Sequence, residues 1–439
     1  SRYSVNGTVR YEGTNSMGKS RNARWLPTWN ISGRWNLDEE VFFQPIKKIV
    51  SHAALKLSYS LTGDRGPGLS NSTAIIASSS PFRPFTSVQE SGLILSTLGN
   101  DELTYEKKTE FNLGIDLGFL ENRINVAMDV YTRDNHDLIG TTRTQGVGGE
   151  IAKFANIASM KSHGFELSVS SNNIKTKDFS WNTDFIYSIY KNEVTDLNAI
   201  ATTMDYVSGT GFTMVGYPHR GLFSIPFAGL DSNGIPMFYN EKGEITSTDL
   251  SFQSSDDFSW LKYEGPTEPT FTGSLGNSFT YKNVHLNVFF TYSGGNVVRL
   301  DPVFSYRYSD LTATTREFKN RWMVPGDENR TNVPTILSYR QYYENAELRN
   351  AYSAYNYSTE RVAKGGFIRL KEISVAYDFP KKWLSALKVS NVSLKLQATN
   401  LCLLYADKKL NGQDPEFVNS GGVASPVPRQ FTMTLRLGL

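Results

Sequence analysis

From Phe111 to Phe119 every odd-numbered residue is apolar, and between them stand Asn112, Gly114, Asp116 and Gly118. After Leu120-Glu121-Asn122-Arg123 the alternation resumes, with Ile124, Val126, Met128 and Val130 set against Asn125, Ala127, Asp129 and Tyr131. A strand sends successive side chains to opposite faces, whereas a helix repeats every 3.6 residues. The pair therefore predicts a β-hairpin with one apolar face and one polar or small face. The same pattern recurs at Leu55, Leu57, Tyr59 and Leu61, at Phe165, Leu167 and Val169, at Leu286, Val288, Phe290 and Tyr292, and at Val392, Leu394 and Leu396. Within 367–379 the phase slips between Leu370 and Ile373, as a bulge or an extension beyond a membrane would make it.

Composition narrows what such strands can build. The chain has 439 residues with 45 basic and 43 acidic side chains, a net charge of +2. It lacks the basic excess and basic blocks that nucleic-acid binding needs. One cysteine, Cys402, excludes an intrachain disulfide framework and a cysteine-based zinc site. The apolar runs fall far short of the roughly 18–20 residues of a membrane-spanning helix. The mean hydropathy of −0.36 would suit a soluble protein. In a transmembrane barrel, however, a lipid-facing residue is averaged against a lumenal one, so low hydropathy decides nothing.

Three features favour the barrel over a soluble sandwich. The polar faces carry Lys56, Asp116, Asp129, Asp184 and Lys395 mid-strand, as a wet lumen would. The apolar faces carry Tyr, Trp or Phe near their ends, as interfacial girdles do. Connections also tend to alternate between short and long. With Leu120–Arg123 as a periplasmic turn, twelve spanning strands are predicted near 3–12, 24–36, 52–62, 105–118, 123–134, 161–171, 179–191, 270–281, 284–297, 366–379, 390–402 and 429–439. Periplasmic links then fall at 37–51, 119–122, 172–178, 282–283 and 380–389. Extracellular links fall at 13–23, 63–104, 135–160, 192–269, 298–365 and 403–428. From 63 onward every extracellular link is the longer. The periplasmic segments Asp38–Gln44 and Pro380–Leu387 read as helical turns that cap the lower rim.

Along its whole length the chain resembles the SusC-like TonB-dependent transporters of the Bacteroidetes outer membrane. The resemblance rests on Arg2-Tyr3 with Val9–Gly13, Trp25–Glu40, Leu55–Gly63, Tyr105–Asp116, Ser162–Leu167, Gly216-Tyr217-Pro218, Arg321-Trp322 with Pro325–Asp327, Gly366–Ser374, Asn400-Leu401, Gly412–Glu416 and Pro428–Thr432. It implies an all-β, antiparallel transmembrane barrel of about 22 strands, the size class whose lumen is plugged. About twelve of those strands would lie here, so residues 1–439 would be the C-terminal portion, with the plug domain and earlier strands outside it. The resemblance further implies TonB-driven import of glycan oligomers or peptides, a SusD-like lipoprotein lid over the extracellular mouth, and TonB contact through the missing N-terminal part. Phe431, Met433, Leu435, Leu437 and Leu439 alternate like the assembly signal of similar barrels, although such barrels usually end on an aromatic residue.

Motifs of catalysis are not found. His52, His136, His163, His219 and His285 are scattered without metal-ligand spacing, and read as polar strand ends and loop residues. No GxSxG occurs, and Gly146–Gly149 has neither the spacing nor the following helix of a phosphate loop. Asp327/Glu328 and Asp414/Glu416 read as solvated loop carboxylates. The expectation is a protein that is not an enzyme and holds no cofactor or metal. Binding is the expected work of the loops. Segment 298–365 holds eight of the 23 tyrosines, namely Tyr306, Tyr308, Tyr339, Tyr342, Tyr343, Tyr352, Tyr355 and Tyr357, together with Trp322. Flat rings with polar tips suit sugar faces, peptide side chains and protein interfaces, so substrate contact, lid contact and loop packing all remain open. Segment 192–269, with Tyr217, Phe223, Phe227 and the turn Asp231–Gly234, is a second candidate, and its length calls for secondary structure of its own.

Two other functions fit the pattern: a complete passive 12-stranded channel, and a surface-adhesion β protein that transports nothing. Pairing between the first and last strands would favour the channel. Apolar strand faces packed on a second sheet would favour the adhesin.

Overall fold

A computed structural model describes residues 1–66, 73–80, 91–146, 151–254, 257–303, 315–384, 389–418 and 426–438. Twelve strands form one hydrogen-bonded sheet in chain order. They are β1 (Tyr3–Gly13), β2 (Trp25–Asn36), β3 (Val50–Asp64), β4 (Glu106–Phe119), β5 (Ile124–Arg143), β6 (Ala152–Lys175), β7 (Phe179–Leu197), β8 (Phe271–Tyr281), β9 (Val284–Gly294), β10 (Phe367–Asp378), β11 (Asn391–Tyr405) and β12 (Gln430–Gly438). All twelve predicted strands are present. Three of them, β5, β6 and β7, run well past their predicted ends, which shrinks the expected 135–160 link to the stretch between Arg143 and Ala152. Alternation marks only the part of a strand that has lipid on one side. Above the membrane the ladder continues without that pattern.

The chain divides into two compact units. One comprises Ser1–Leu167, Tyr190–Ile200 and Met214–Pro218; the other comprises Ser168–Ile189, Ala201–Thr213 and His219–Leu439. In the first unit the register joins like faces. Trp35 pairs with Tyr3 and Leu55, Gly33 with Val5 and Leu57, and Ile31 with Gly7 and Tyr59. Leu113 lies opposite both Leu57 and Val130. Ile31, Leu57, Tyr59, Leu113 and Val130 are exposed rather than covered by a second sheet. In water such a face would forfeit about 25 cal/mol per Å² of apolar surface; against hydrocarbon it costs nothing. The opposite face carries Lys56 and Arg34, 2.8 and 3.5 Å from the carboxylate of Asp116. Aromatic pairs stand at both strand ends, with Tyr3 on Trp35 and Tyr11 on Trp25. Leu26 of β2 and Ile139 of β5 form a small buried core with Met17, Leu103 and Tyr105 from the adjoining links.

In the second unit Leu286, Val288 and Phe290 of β9 continue the apolar face through Val375, Ile373 and Leu370 of β10. The predicted phase slip is a bulge. Phe289 pairs with Glu372 and Phe290 with Leu370, so Lys371 is left without a partner and both flanking runs keep their apolar residues on one side. The face extends through Leu396 and Leu394 of β11 to Met433 and Leu435 of β12. β1 and β12 occupy the two ends of the strand order.

The predicted helical turns are present as 3₁₀ helices Leu37–Glu39 and Val41–Ile46, and as the short helix Lys381–Leu384. Segment 192–269 has the structure its length calls for, with a helix Thr203–Val207 and short strands Gly221–Ser224, Phe227–Leu230, Pro236–Tyr239, Ile245–Thr246 and Lys262–Pro266. Segment 298–365 is not a plain loop. It contains helices Tyr339–Glu344 and Ala346–Asn356, each started by a polar cap: Ser338 Oγ accepts from Gln341 N, and Asn345 Oδ1 accepts from Glu347 and Leu348 N.

Candidate functional site

The extracellular segments of the second unit are joined by three buried arginines. Arg299 ends the short strand Val297–Arg299, whose Val298 belongs to a buried cluster with Leu300, Ala363 and Leu410. Its guanidinium donates to Ser224 Oγ at 3.1 Å and to the carbonyls of Ser358, Val207 and Phe223 at 2.8, 3.2 and 2.7 Å. One side chain thereby ties together a helix end, a strand and a turn that lie far apart in sequence. Burial pulls its pKa down to about 10, against the opposing attraction of Glu264, so it stays charged at neutral pH.

Arg361, also buried, donates to Glu317 and, at 2.6 Å, to the carbonyl of Asp301. Glu317 in turn accepts from Asn411 Nδ2 at 2.8 Å, which ties in the last long loop. Arg369 of β10 holds both carboxylate oxygens of Asp414, at 2.5 and 2.6 Å, with Glu416 at 3.2 Å. The expectation of a solvated Asp414 is therefore corrected: its carboxylate is largely covered and clamps a buried guanidinium. Asp327 and Glu328 are also engaged. Asp327 accepts from the amides of Met323 and Val324, and Glu328 accepts from Trp322 Nε1 at 2.9 Å. The Trp322 bond holds the Glu328 carboxyl below its usual range.

Beside the Arg361–Glu317 pair lies a recess of about 490 Å³. Arg321, Arg330, Arg361 and Lys409 line it together with Glu317, Asp327, Glu360 and Tyr355. Mixed charge and hydrogen-bonding capacity suit it to polar oligomers rather than apolar ligands. Among the described residues no group of three or more His, Cys, Asp or Glu side chains is placed to hold a metal ion.

A family model for the TonB dependent receptor-like β-barrel matches residues 1–401. The chain belongs to that family. TonB-dependent receptor P3 of Formosa agariphila is 26% identical over 441 residues, which cover 95% of this chain and 40% of the relative. The TonB-dependent receptor SusC of Bacteroides thetaiotaomicron is 26% identical over 473 residues, which cover 100% of this chain and 42% of the relative. The chain thus spans about two fifths of the curated relatives' length. Among solved structures, the RagAB peptide transporter superposes with a TM-score of 0.77 at 21% identity, over 99% of this chain and 45% of that one, which supports the fold. This SusC-like chain is a bacterial outer-membrane protein, and its strand alternation is the lipid face of the TonB-dependent receptor barrel.

The ten residues singled out in the sequence fall into distinct environments. Tyr306 and Tyr308 lie outside the described residues. Tyr352 and Tyr355 are buried in the helix Ala346–Asn356, and burial raises both hydroxyls above the ordinary phenol range. Tyr352 donates to the carbonyl of Thr335 at 2.6 Å. Trp322 lies against Gly234, where an added Cβ would come within 2.6 Å of the indole. Tyr357 is half-buried against Phe252. These side chains pack the loops together. Tyr339, Tyr342 and Tyr343 form a surface cluster, with ring centroids 4.3 and 5.2 Å apart and Arg349 over Tyr342 at 5.6 Å. Tyr217 belongs to the other unit, where its carbonyl accepts from Val194 N at 2.9 Å. Arg299, Arg361 and Arg369 escaped the sequence reading. A local signal exists only for Arg299, the one charge in the run Val297-Val298-Arg299-Leu300.

Proposed function

We propose that this chain supplies the C-terminal barrel wall and extracellular loops of a larger TonB-dependent importer, whose plug domain and earlier strands lie outside these residues. In this reading the whole receptor takes up glycan oligomers or peptides, with a SusD-like lipoprotein as its extracellular lid. The observation that carries it is a family match over residues 1–401 in a chain that spans about two fifths of its curated relatives' length. The exposed apolar strand faces speak against an adhesin with a second sheet. RagAB is a peptide transporter, but likeness of fold does not choose between peptide and sugar.

Tyr339, Tyr342 and Tyr343 are the candidates for lid or substrate contact, being the clustered aromatics that loop packing leaves at the surface. Tyr306, Tyr308 and Tyr217 belong to the same proposal. The remaining tyrosines and Trp322 act by positioning the loops. Affinity purification of the receptor from native outer membranes tests the reading. The expected result is a species much larger than 49.2 kDa, accompanied by a stoichiometric surface lipoprotein and active in uptake that a protonophore abolishes. A 49.2 kDa species without lipoprotein would overturn it.

A further inference from the structure

We propose that the periplasmic link between β2 and β3, residues 37–49, is a membrane-interface anchor that seats in the phospholipid headgroup layer of the periplasmic leaflet. Its sequence suggested only a rim cap. Its side chains sort otherwise. Phe43 is buried, while Val41, Phe42, Ile46 and Ile49 are 75, 64, 47 and 63% exposed. Four exposed apolar side chains within nine residues make a patch that water disfavours.

The side of the sheet on which the link lies identifies its occupant. Arg34 and His52 belong to the polar face, and Asp38 turns to them: its carboxylate is 3.2 Å from His52 Nδ1, whose Nε2 is 3.4 Å from Arg34. Trp35 belongs to the lipid-facing set with Ile31 and Leu57. Glu40 accepts from Trp35 Nε1 at 3.1 Å and from the Tyr3 hydroxyl at 2.6 Å, and the Phe42 ring meets the edge of Trp35 at 6.3 Å. The link therefore crosses the rim and folds onto the outer side, where its apolar patch continues the lipid-facing band. Tyr and Trp with polar tips engaged at that height mark the interface between hydrocarbon and headgroups. Lys47 and Lys48 follow directly and are exposed. Lys47 donates to the Asp38 carbonyl at 3.1 Å, and Lys48 has no partner among the described residues. An apolar patch beside exposed ammonium groups is complementary to acyl chains topped by phosphates.

The second unit repeats the device independently at its own periplasmic link. Tyr377 of the lipid-facing set meets Phe379 at 5.1 Å, Phe379 meets Trp383 at 6.4 Å, and Trp383 is 61% exposed.

The test places a nitroxide on Val41→Cys, Phe42→Cys, Ile46→Cys or Ile49→Cys, one at a time in a Cys402→Ser background. The intact receptor is reconstituted in phosphatidylethanolamine–phosphatidylglycerol vesicles, and Gln44→Cys serves as the solvated reference. The expected result is a several-fold preference for oxygen over a nickel chelate at all four positions and the reverse at Gln44. Chelate access equal to that at Gln44 would overturn the anchor, and so would shielding from both reagents, which contact with another protein segment would produce. A second measurement reads phosphatidylglycerol retained on the detergent-purified receptor. Lys47→Gln/Lys48→Gln is expected to lower retention by about fivefold for each lysine; unchanged retention with preserved heat-modifiability would remove the headgroup contact.

Discussion

Replacing Arg299 by methionine should release three extracellular segments at once. The guanidinium serves four acceptors, and three of them are backbone carbonyls of buried residues, Val207, Phe223 and Ser358. Methionine keeps much of the side-chain volume but satisfies none of them. Charge-assisted hydrogen bonds contribute roughly 1.5–3 kcal/mol each, and a stranded buried acceptor costs about 1–3 kcal/mol. Against this stands the relief of desolvation. A pKa of about 10 rather than 12.5 corresponds to ~3 kcal/mol lost by the charged form, at about 1.4 kcal/mol per pH unit. Bonds that share one donor group do not add independently, and the net loss is taken as on the order of 3–5 kcal/mol, the range found when a buried ionic network loses one member. It raises the local opening equilibrium by a hundredfold or more. Hydrogen exchange read by mass spectrometry checks this peptide by peptide. Segments 203–208, 221–225 and 356–362 should lose protection together, while the strands β8 and β9 keep theirs. Arg299→Lys retains the charge without the planar fork and should fall between. Loss confined to residues 297–300, or spread equally into the strands, would refute the idea of a single tie.

Three further outcomes are expected. Asp414→Asn leaves the buried Arg369 with Glu416 as its one anionic partner among the described residues, and should loosen residues 406–418 by roughly 1–3 kcal/mol, seen as faster limited proteolysis there with the strands intact. Gly234→Ala places a Cβ at φ +75° within 2.6 Å of the Trp322 ring; a cost of about 2 kcal/mol and a changed near-UV signal from Trp322 are expected, and an unaltered spectrum would argue against the contact. Burial holds the His219 imidazole below its ordinary value of 6.5, with Glu268 opposing, and Thr213 Oγ1 lies 3.3 Å from its Nδ1. A base with a depressed folded pKa stabilises its segment above the unfolded value and loses that contribution as pH falls toward the folded value. Protection of residues 212–220, corrected for intrinsic exchange, should therefore drop between pH 7 and 5, and His219→Gln should abolish the drop.

Much of the barrel is legible in the residues alone. Leu113 and Val130 declare their face because a spanning strand has hydrocarbon on one side and water on the other, so the constraint repeats every second residue. The slip at Leu370–Ile373 was visible for the same reason. Yet the pattern alone does not say that Lys371 is the residue set aside, since that depends on register against Phe289 and Phe290. The candidate site was legible in kind and not in detail. Tyr339 and Tyr355 are equivalent in sequence, both tyrosines in a tyrosine-rich stretch, but one is a surface ring and the other is among the most buried side chains of the loops. Whether a ring binds or packs depends on which distant segment covers it.

By itself the sequence determined the fold class, the number of strands and the lipid-facing side of each, since these follow from local alternation. Tertiary structure alone decided that Asp414 is a clamp rather than a solvated carboxylate, that Trp322 fills the space over Gly234, and that Arg299 joins residues 207, 223, 224 and 358. Periodicity has a range of a few residues. These contacts join residues 45 to 92 positions apart, and no short-range pattern records which ends will meet.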